Sequence, residues 1–199
     1  MYPSGITQQV NAQRGTFVAV EGLSHQLEGS IRPHFFRGVA TVVTKLLHVV
    51  SPHLLLLGQK DAQQCVVLEQ MCKDLLFDTI VHIVPTAREA DGLAMSSRNV
   101  FLTAEERQIA PVLYKALRAA ADALTSGDAT TGDQVTAVAK TLVTEEAPMM
   151  DIQYIKLNHA SHLAEVTSEL LQPKTRYLLS AAIKTPSGVR LIDNLPICT

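Results

Sequence analysis

Short apolar runs of β-forming residues alternate with stretches of helical spacing through the first 84 residues. Thr16-Phe-Val-Ala-Val20 alternates and is rich in β-formers, which predicts a short strand. Val39, Val42, Val43, Leu46, Leu47 and Val50 recur at helical spacing, giving a helix with one buried face that Ser51-Pro52 closes. Leu54 to Leu57 is wholly apolar and bounded by turn signals, as expected of a strand covered on both faces. Four leucines alone suit a helix equally well; the neighbouring segments decide for strand. Leu68, Met71, Cys72, Leu75 and Leu76 mark a second helix, and Thr79-Ile-Val-His-Ile-Val84 a third strand ending at Pro85. This βαβ order implies a parallel sheet with a right-handed crossover.

After Arg88 the pattern changes, and the segment from Pro85 to Arg88 is the expected domain boundary. Thr103-Ala-Glu-Glu106 forms a capping box, so a long helix should follow. Ile109, Val112, Leu113, Ala116, Leu117, Ala120 and Leu124 continue its apolar face to Ser126-Gly127, with Pro111 tolerable only near the first turns. Another helix is expected from about Asp133 to Glu145, then strands over Asp151–Leu157, Thr175–Ile183 and Val189–Asp193. Pro186-Ser-Gly188 makes the last two a hairpin. The whole order reads βαβαβ followed by ααβ(β)β, with no internal repeat.

Composition narrows the class of ligand. A formal net charge of -2 gives no electrostatic reason to expect nucleic acid or an acidic membrane as partner, which leaves small molecules. Cys65, Cys72 and Cys198 form no CxxC pair, so a reducing compartment is the simpler reading, with Cys65 and Cys72 as small hydrophobes on one helix face. No apolar run approaches the roughly 18 residues of a membrane span, and Met1-Tyr-Pro-Ser-Gly lacks the pattern of a signal peptide. A cytoplasmic protein is expected.

Two segments carry candidate chemistry. Asp91-Gly-Leu-Ala-Met-Ser-Ser-Arg-Asn99 is poor material for helix or strand; it combines a turn dipeptide with two hydroxyls and a guanidinium whose planar fork suits phosphate oxygens. A mobile phosphate-gripping loop is one reading, and an interdomain linker whose serines cap the next turn is the other. In Leu54-Leu-Leu-Leu-Gly-Gln-Lys-Asp61 a strand ends in glycine and presents Lys60 near a helix N-terminus, where backbone N–H groups favour an anion. A solvated lysine paired with Asp61 is the competing reading, and spacing alone favours it. Gln63 and Gln64 could hydrogen-bond a substrate hydroxyl or carboxylate, against a background of ordinary surface glutamines. His159 and His162 are read as surface histidines without zinc spacing, and no metal-ligating set is identified. His34, between Arg32 and Arg37 in a proline-broken loop, either borders an anionic site or belongs to a surface loop anchored by Phe35 and Phe36. A Walker loop, a GxGxxG fingerprint and a Gly-x-Ser-x-Gly elbow are absent.

Leu27-Glu-Gly, Arg32-Pro, Phe36-Arg-Gly-Val, Gly58-Gln-Lys-Asp-Ala-Gln-Gln64, Pro85-Thr-Ala-Arg-Glu-Ala-Asp-Gly-Leu-Ala-Met-Ser-Ser-Arg-Asn99, Phe101-Leu-Thr-Ala-Glu-Glu-Arg107 and Leu191-Ile-Asp-Asn194 together resemble the pantothenate synthetase (pantoate:beta-alanine ligase) family, through nearly the whole chain and in family order. The resemblance implies a two-step reaction: pantoyl adenylate and pyrophosphate from pantoate, ATP and Mg2+, then displacement of AMP by the amine of beta-alanine. It implies an α/β fold, with residues 1–86 the C-terminal half of a Rossmann-like nucleotidyltransferase domain and 87–199 a smaller α+β lid domain, in a family that is typically homodimeric. Gly58, Gln59, Lys60 and Asp61 correspond to a nucleotide-binding element whose usual second residue is glutamate. Gln64 corresponds to a pantoate contact, Ala87 to a valine that meets ATP through its backbone, and Met95, Ser96, Ser97 and Arg98 to the ATP loop. Lys60 and Arg98 are thereby the candidate catalytic cations, opposing charge on the α-phosphate and the departing pyrophosphate.

Two departures from the family pattern qualify this expectation. Pro33-His-Phe-Phe36 stands where family members carry Pro-Gly-His-Phe, so Phe35 occupies the histidine position and His34 is offered as its substitute. Met1-Tyr-Pro-Ser-Gly resembles a segment inside the family's first domain, so the HxGH motif, with its catalytic histidine, and an upstream glutamine are expected to be missing. The competing readings are a non-catalytic ATP-binding or interaction fragment, a split enzyme completed by another polypeptide, and generic nucleotidyl transfer.

Overall fold

The structure is a computed structural model that describes residues 15–199. It divides into two compact units, 1–84 and 85–199.

In the first unit, helix α1 (Glu28–Ile31) and helix α2 (Phe35–Val50) precede strand β1 (Leu54–Gly58), helix α3 (Ala62–Asp74) and strand β2 (Ile80–Val84). β1 and β2 are parallel, Leu54 opposite Ile80 and Gly58 opposite Val84. Val39 and Leu47 of α2 pack with Val67, Leu68 and Met71 of α3, and Leu55, Leu57 and Val81 close that core from the sheet. Both Cys65 and Cys72 are buried on α3, and burial pushes the Cys65 thiol up to about 11. Helix α2 ends as the sequence indicated: Ser51 takes a left-handed conformation and its N–H donates to the Leu47 carbonyl at 2.8 Å.

Three expectations for this unit are corrected. Thr16–Val20 forms no strand; the N–H of Val18 donates to Thr41 Oγ1 of α2 at 2.9 Å, so a side chain satisfies a backbone group that a neighbouring strand would have paired. The Leu54–Leu57 strand is covered on one face only, for Leu54, Leu56 and Ile80 are 49%, 59% and 67% exposed. Gln63 is no surface glutamine. Its amide accepts from Glu28 N–H at 3.0 Å and donates to the carbonyls of Leu23 (2.8 Å) and Gln26 (2.7 Å), latching the segment before α1 onto α3.

In the second unit, helices α4 (Ala104–Ile109), α5 (Val112–Ser126) and α6 (Gly132–Glu146) precede strands β3 (Asp151–His159), β4 (Arg176–Lys184) and β5 (Arg190–Cys198). The strands form an antiparallel sheet with β4 in the centre, a β-bulge near Ile152 in β3, and β4–β5 joined as a hairpin. Leu117 and Ala120 of α5 and Val135, Ala139 and Val143 of α6 pack on Tyr177, Leu179, Ala181 and Ile183, which share one face of β4. The single long helix expected after Thr103 is two helices. Pro111 has no N–H to continue the ladder, so α4 stops and α5 begins anew at Val112. A second capping box, Thr131 with Gln134, opens α6.

Glu106 does more than cap α4. Its carboxylate also accepts the N–H of Ser187 at 2.8 Å and the Ser187 hydroxyl at 2.7 Å, tying the start of α4 to the β4–β5 turn. Burial alone would push this carboxyl up; bonds from Ser187, Thr103 and Thr185 outweigh it and hold the group down to about 2. A carboxyl lowered on folding contributes stability that is present above its unfolded value and lost as pH falls through its folded one. The melting temperature should therefore drop between pH 4.5 and about 2 more steeply in the wild-type chain than in Glu106→Gln, read by thermal melts across that range.

Candidate functional site

The Asp91–Asn99 segment is built as a pinned turn. The N–H of Met95 donates to the Ala87 carbonyl, that of Glu89 to Leu93 and that of Gly92 to Glu89, each at 2.9 Å, closing residues 87–95 into a tight hairpin with Arg88 opposite Ala94. Gly92 sits at φ +93°, and a Cβ there would come within 2.6 Å of the Tyr114 ring, so only glycine fits this tip. Asp91 Oδ1 accepts the Leu93 N–H at 3.2 Å while Oδ2 takes the Arg107 guanidinium at 2.5 Å, which holds the Asp91 carboxyl below the usual carboxylate range. Leu93 and Ala94 then bury their side chains and fix the strand that leads into the serines.

Beyond Met95 the chain turns into a 3-10 helix over Ser97–Phe101, so the segment that looked unsuited to regular structure forms one short turn of it. Ser96 caps it, its hydroxyl accepting the Arg98 N–H at 3.3 Å. Glu89, Met95, Ser96, Ser97, Asn99 and Val100 line an open cleft of about 510 Å³. Asn99 donates from Nδ2 to the Ala94 carbonyl at 3.0 Å, and its buried Oδ1 has no hydrogen-bond partner among the described residues. Arg98 is exposed, and its guanidinium makes no ion pair among the described residues. The Ser96 and Ser97 hydroxyls and a guanidinium with no ion-pair partner among the described residues are the donors this open turn offers to an oxyanion, whereas Asn99 Oδ1 can only accept. Glu89 and Asn99 line the same cleft, and their only signal in the sequence is their place inside the Pro85–Asn99 stretch.

The other sequence candidates lie in the first unit. Gly58 ends β1 and is exposed; Gln59, Lys60 and Asp61 form a 3-10 turn that leads directly into α3. Lys60 thus stands at the end of a parallel strand and the head of a helix, as its spacing indicated. Gln64 is half-buried on the first turn of α3 with no side-chain hydrogen bond among the described residues, whereas its neighbour Gln63 is wholly committed to the fold. His34 caps α2 in a left-handed conformation (φ 67°) and is exposed, while Phe36 is buried beside a partly buried Phe35, which favours the surface-loop reading of that segment. His159 and His162 stack at 4.7 Å between ring centroids, at the end of β3 and in the turn after it rather than on a helix. No three His, Cys, Asp or Glu side chains gather as a metal cage among the described residues, and no helix there is long and apolar enough to cross a membrane.

A parallel βαβ unit with a lysine turn at its strand end, and a separate unit with a three-stranded antiparallel sheet and a hydroxyl-and-arginine turn, define a mixed α/β protein. The family model for pantoate-beta-alanine ligase matches residues 1–196, and the chain belongs to that family. It is 45% identical over 194 residues to the pantothenate synthetase of Chloroflexus aggregans, covering 98% of this chain and 65% of that one. It is 43% identical to the enzyme of Vibrio cholerae, covering 61% of it. The chain thus spans about 65% of the length of such curated relatives. The crystal structure of pantothenate synthetase from Thermus thermophilus superposes with a TM-score of 0.84 at 36% identity, over all of this chain and 67% of that one. A Francisella tularensis pantoate-beta-alanine ligase complexed with beta-gamma ATP and beta-alanine superposes with a TM-score of 0.62 at 29% identity, over 93% of this chain and 59% of that one.

Proposed function

We propose that this chain carries the ATP-gripping part of a pantoate-activating ligase: residues 1–86 as part of a Rossmann-like nucleotide-binding domain, residues 87–199 as a smaller α+β domain whose Met95–Arg98 turn binds ATP phosphate oxygens. In the reaction so assigned, a carboxylate oxygen of pantoate attacks the α-phosphorus of ATP, the bond to the β-phosphate oxygen breaks, and pyrophosphate leaves. The amine of beta-alanine then attacks the acyl carbon of pantoyl adenylate and expels AMP, giving pantothenate, a coenzyme A precursor. Arg98 and Lys60 supply positive charge where the phosphoryl oxygens gain negative charge, and neither needs to accept a proton. Gly58, Gln59, Asp61 and the backbone of Ala87 line the nucleotide, and Gln64 offers its amide to pantoate.

Mg2+ belongs with ATP in this reading, and the Glu89 carboxylate, the Ser96 and Ser97 hydroxyls and Asn99 Oδ1 are hard oxygen donors that fit such a cation. When bound, it would neutralise phosphate charge. The observation that carries the proposal is Arg98, exposed and without an ion pair among the described residues, beside the cleft-lining Ser96 and Ser97, of which Ser96 caps the turn.

The test is pantoate-dependent exchange of labelled pyrophosphate into ATP by the purified chain. Exchange supports the ligase; MgATP binding without exchange supports the second reading, an ATP-binding fragment. That second reading is favoured by one observation: these 199 residues contain no His-x-Gly-His.

A further inference from the structure

The Arg88 side chain reaches into the second unit's interior. Its Nη1 and Nη2 donate to Asp193 Oδ2 at 2.6 Å and Oδ1 at 2.9 Å, and Nη1 also donates to the Gly92 carbonyl at 3.0 Å. Its Cζ lies 3.7 Å from the centroid of the Tyr114 ring, the ring that also bounds the space at Gly92. Asp193 is 3% exposed, stands opposite Ala181 on the face of the sheet that the helices cover, and takes the Asn194 N–H besides. Such a buried, two-pronged ion pair is costly to form and gives directional fixation in return.

What it fixes is the hairpin 87–95, the backbone that delivers Met95 and Ser96 to the cleft. Arg88 itself does not line that cleft. We propose that Arg88, locked between Asp193 and Tyr114, is the positioning residue of the phosphate-gripping turn: it sets where Met95–Arg98 stand relative to β5 without touching the nucleotide. This rests on the reading of Met95–Arg98 as the ATP loop. A lysine at 88 would keep the charge and lose the fork, and an asparagine at 193 would keep the shape and lose the charge.

Isothermal titration of Mg-AMPPNP into the full chain, paired with amide hydrogen exchange, separates the possibilities. Arg88→Lys and Asp193→Asn should each weaken binding and speed exchange at the Gly92 and Met95 amides by about tenfold, and the double variant should be little worse than either alone. Glu106→Gln loosens the same unit elsewhere and should leave both readouts unchanged. Unaltered affinity in Arg88→Lys and Asp193→Asn, with binding lost in Arg98→Ala, overturns the positioning role and leaves the ATP reading intact. If the wild-type chain takes up no nucleotide, the ATP reading itself fails; unaltered exchange at Gly92 and Met95 then overturns the clamp, and accelerated exchange retains it.

Discussion

Replacing Arg98 with alanine is expected to lower pantoate-dependent pyrophosphate exchange by about 10²–10³-fold, the scale seen when one preorganised charge-stabilising donor is removed. Arg98 is exposed and its guanidinium has no ion-pair partner among the described residues, so the fold loses little when it is truncated: about 0.5 kcal/mol or less for such a surface position. A guanidinium kept unneutralised at an open turn can give its full charge to a ligand, and that contribution disappears with the side chain. Melting temperature should accordingly stay within about 2 °C of wild type. Arg98→Lys should fall between the two, because an ammonium keeps the charge but cannot engage two oxygens in one plane. Should the chain bind MgATP without exchanging pyrophosphate, the same ordering is expected in the dissociation constants. Equal affinities in all three proteins would remove Arg98 from the site.

The local code was most legible where the backbone demands a specific side chain. Thr103 and Glu106 announce a helix start because few other pairs satisfy two free N–H groups at that spacing, and the box is present. The Lys60 turn was likewise readable, since an apolar run that meets Gly-Gln-Lys-Asp must stop there. The sequence was silent on partners distant along the chain. Arg88 and Asp193 are 105 residues apart, and Glu106 and Ser187 are 81 apart, so no window of periodicity contains either pair. Gln63 failed for the same reason: its three partners lie 35 to 40 residues upstream. Pro111 is legible in its chemistry but not in its position: it falls where α4 has already run six residues, so its missing N–H ends that helix instead of sitting harmlessly in a first turn.

Leucine burial could not be read from apolar character alone, and a paired substitution should make that visible. Leu179 lies in the central strand of the second unit at 0% exposure, within the core formed with α5 and α6; Leu56 lies in β1 at 59% exposure. Leu179→Ala should cost about 2–5 kcal/mol, the transfer free energy of the lost atoms plus the cavity they leave. Against a total stability of about 5–15 kcal/mol, that is enough to shift the urea midpoint of its unit markedly while leaving the slope unchanged. Leu56→Ala removes surface that already meets water, so its effect on the midpoint should stay near 0.5 kcal/mol or below. Strand-embedded leucines in one chain thus diverge because a β4 side chain faces two helices and its β1 counterpart faces none of the described residues closely enough to be buried. Equal midpoint shifts in the two variants would mean that Leu56 is covered in solution, and that the bare face of the parallel sheet is closed there by something the described residues do not supply.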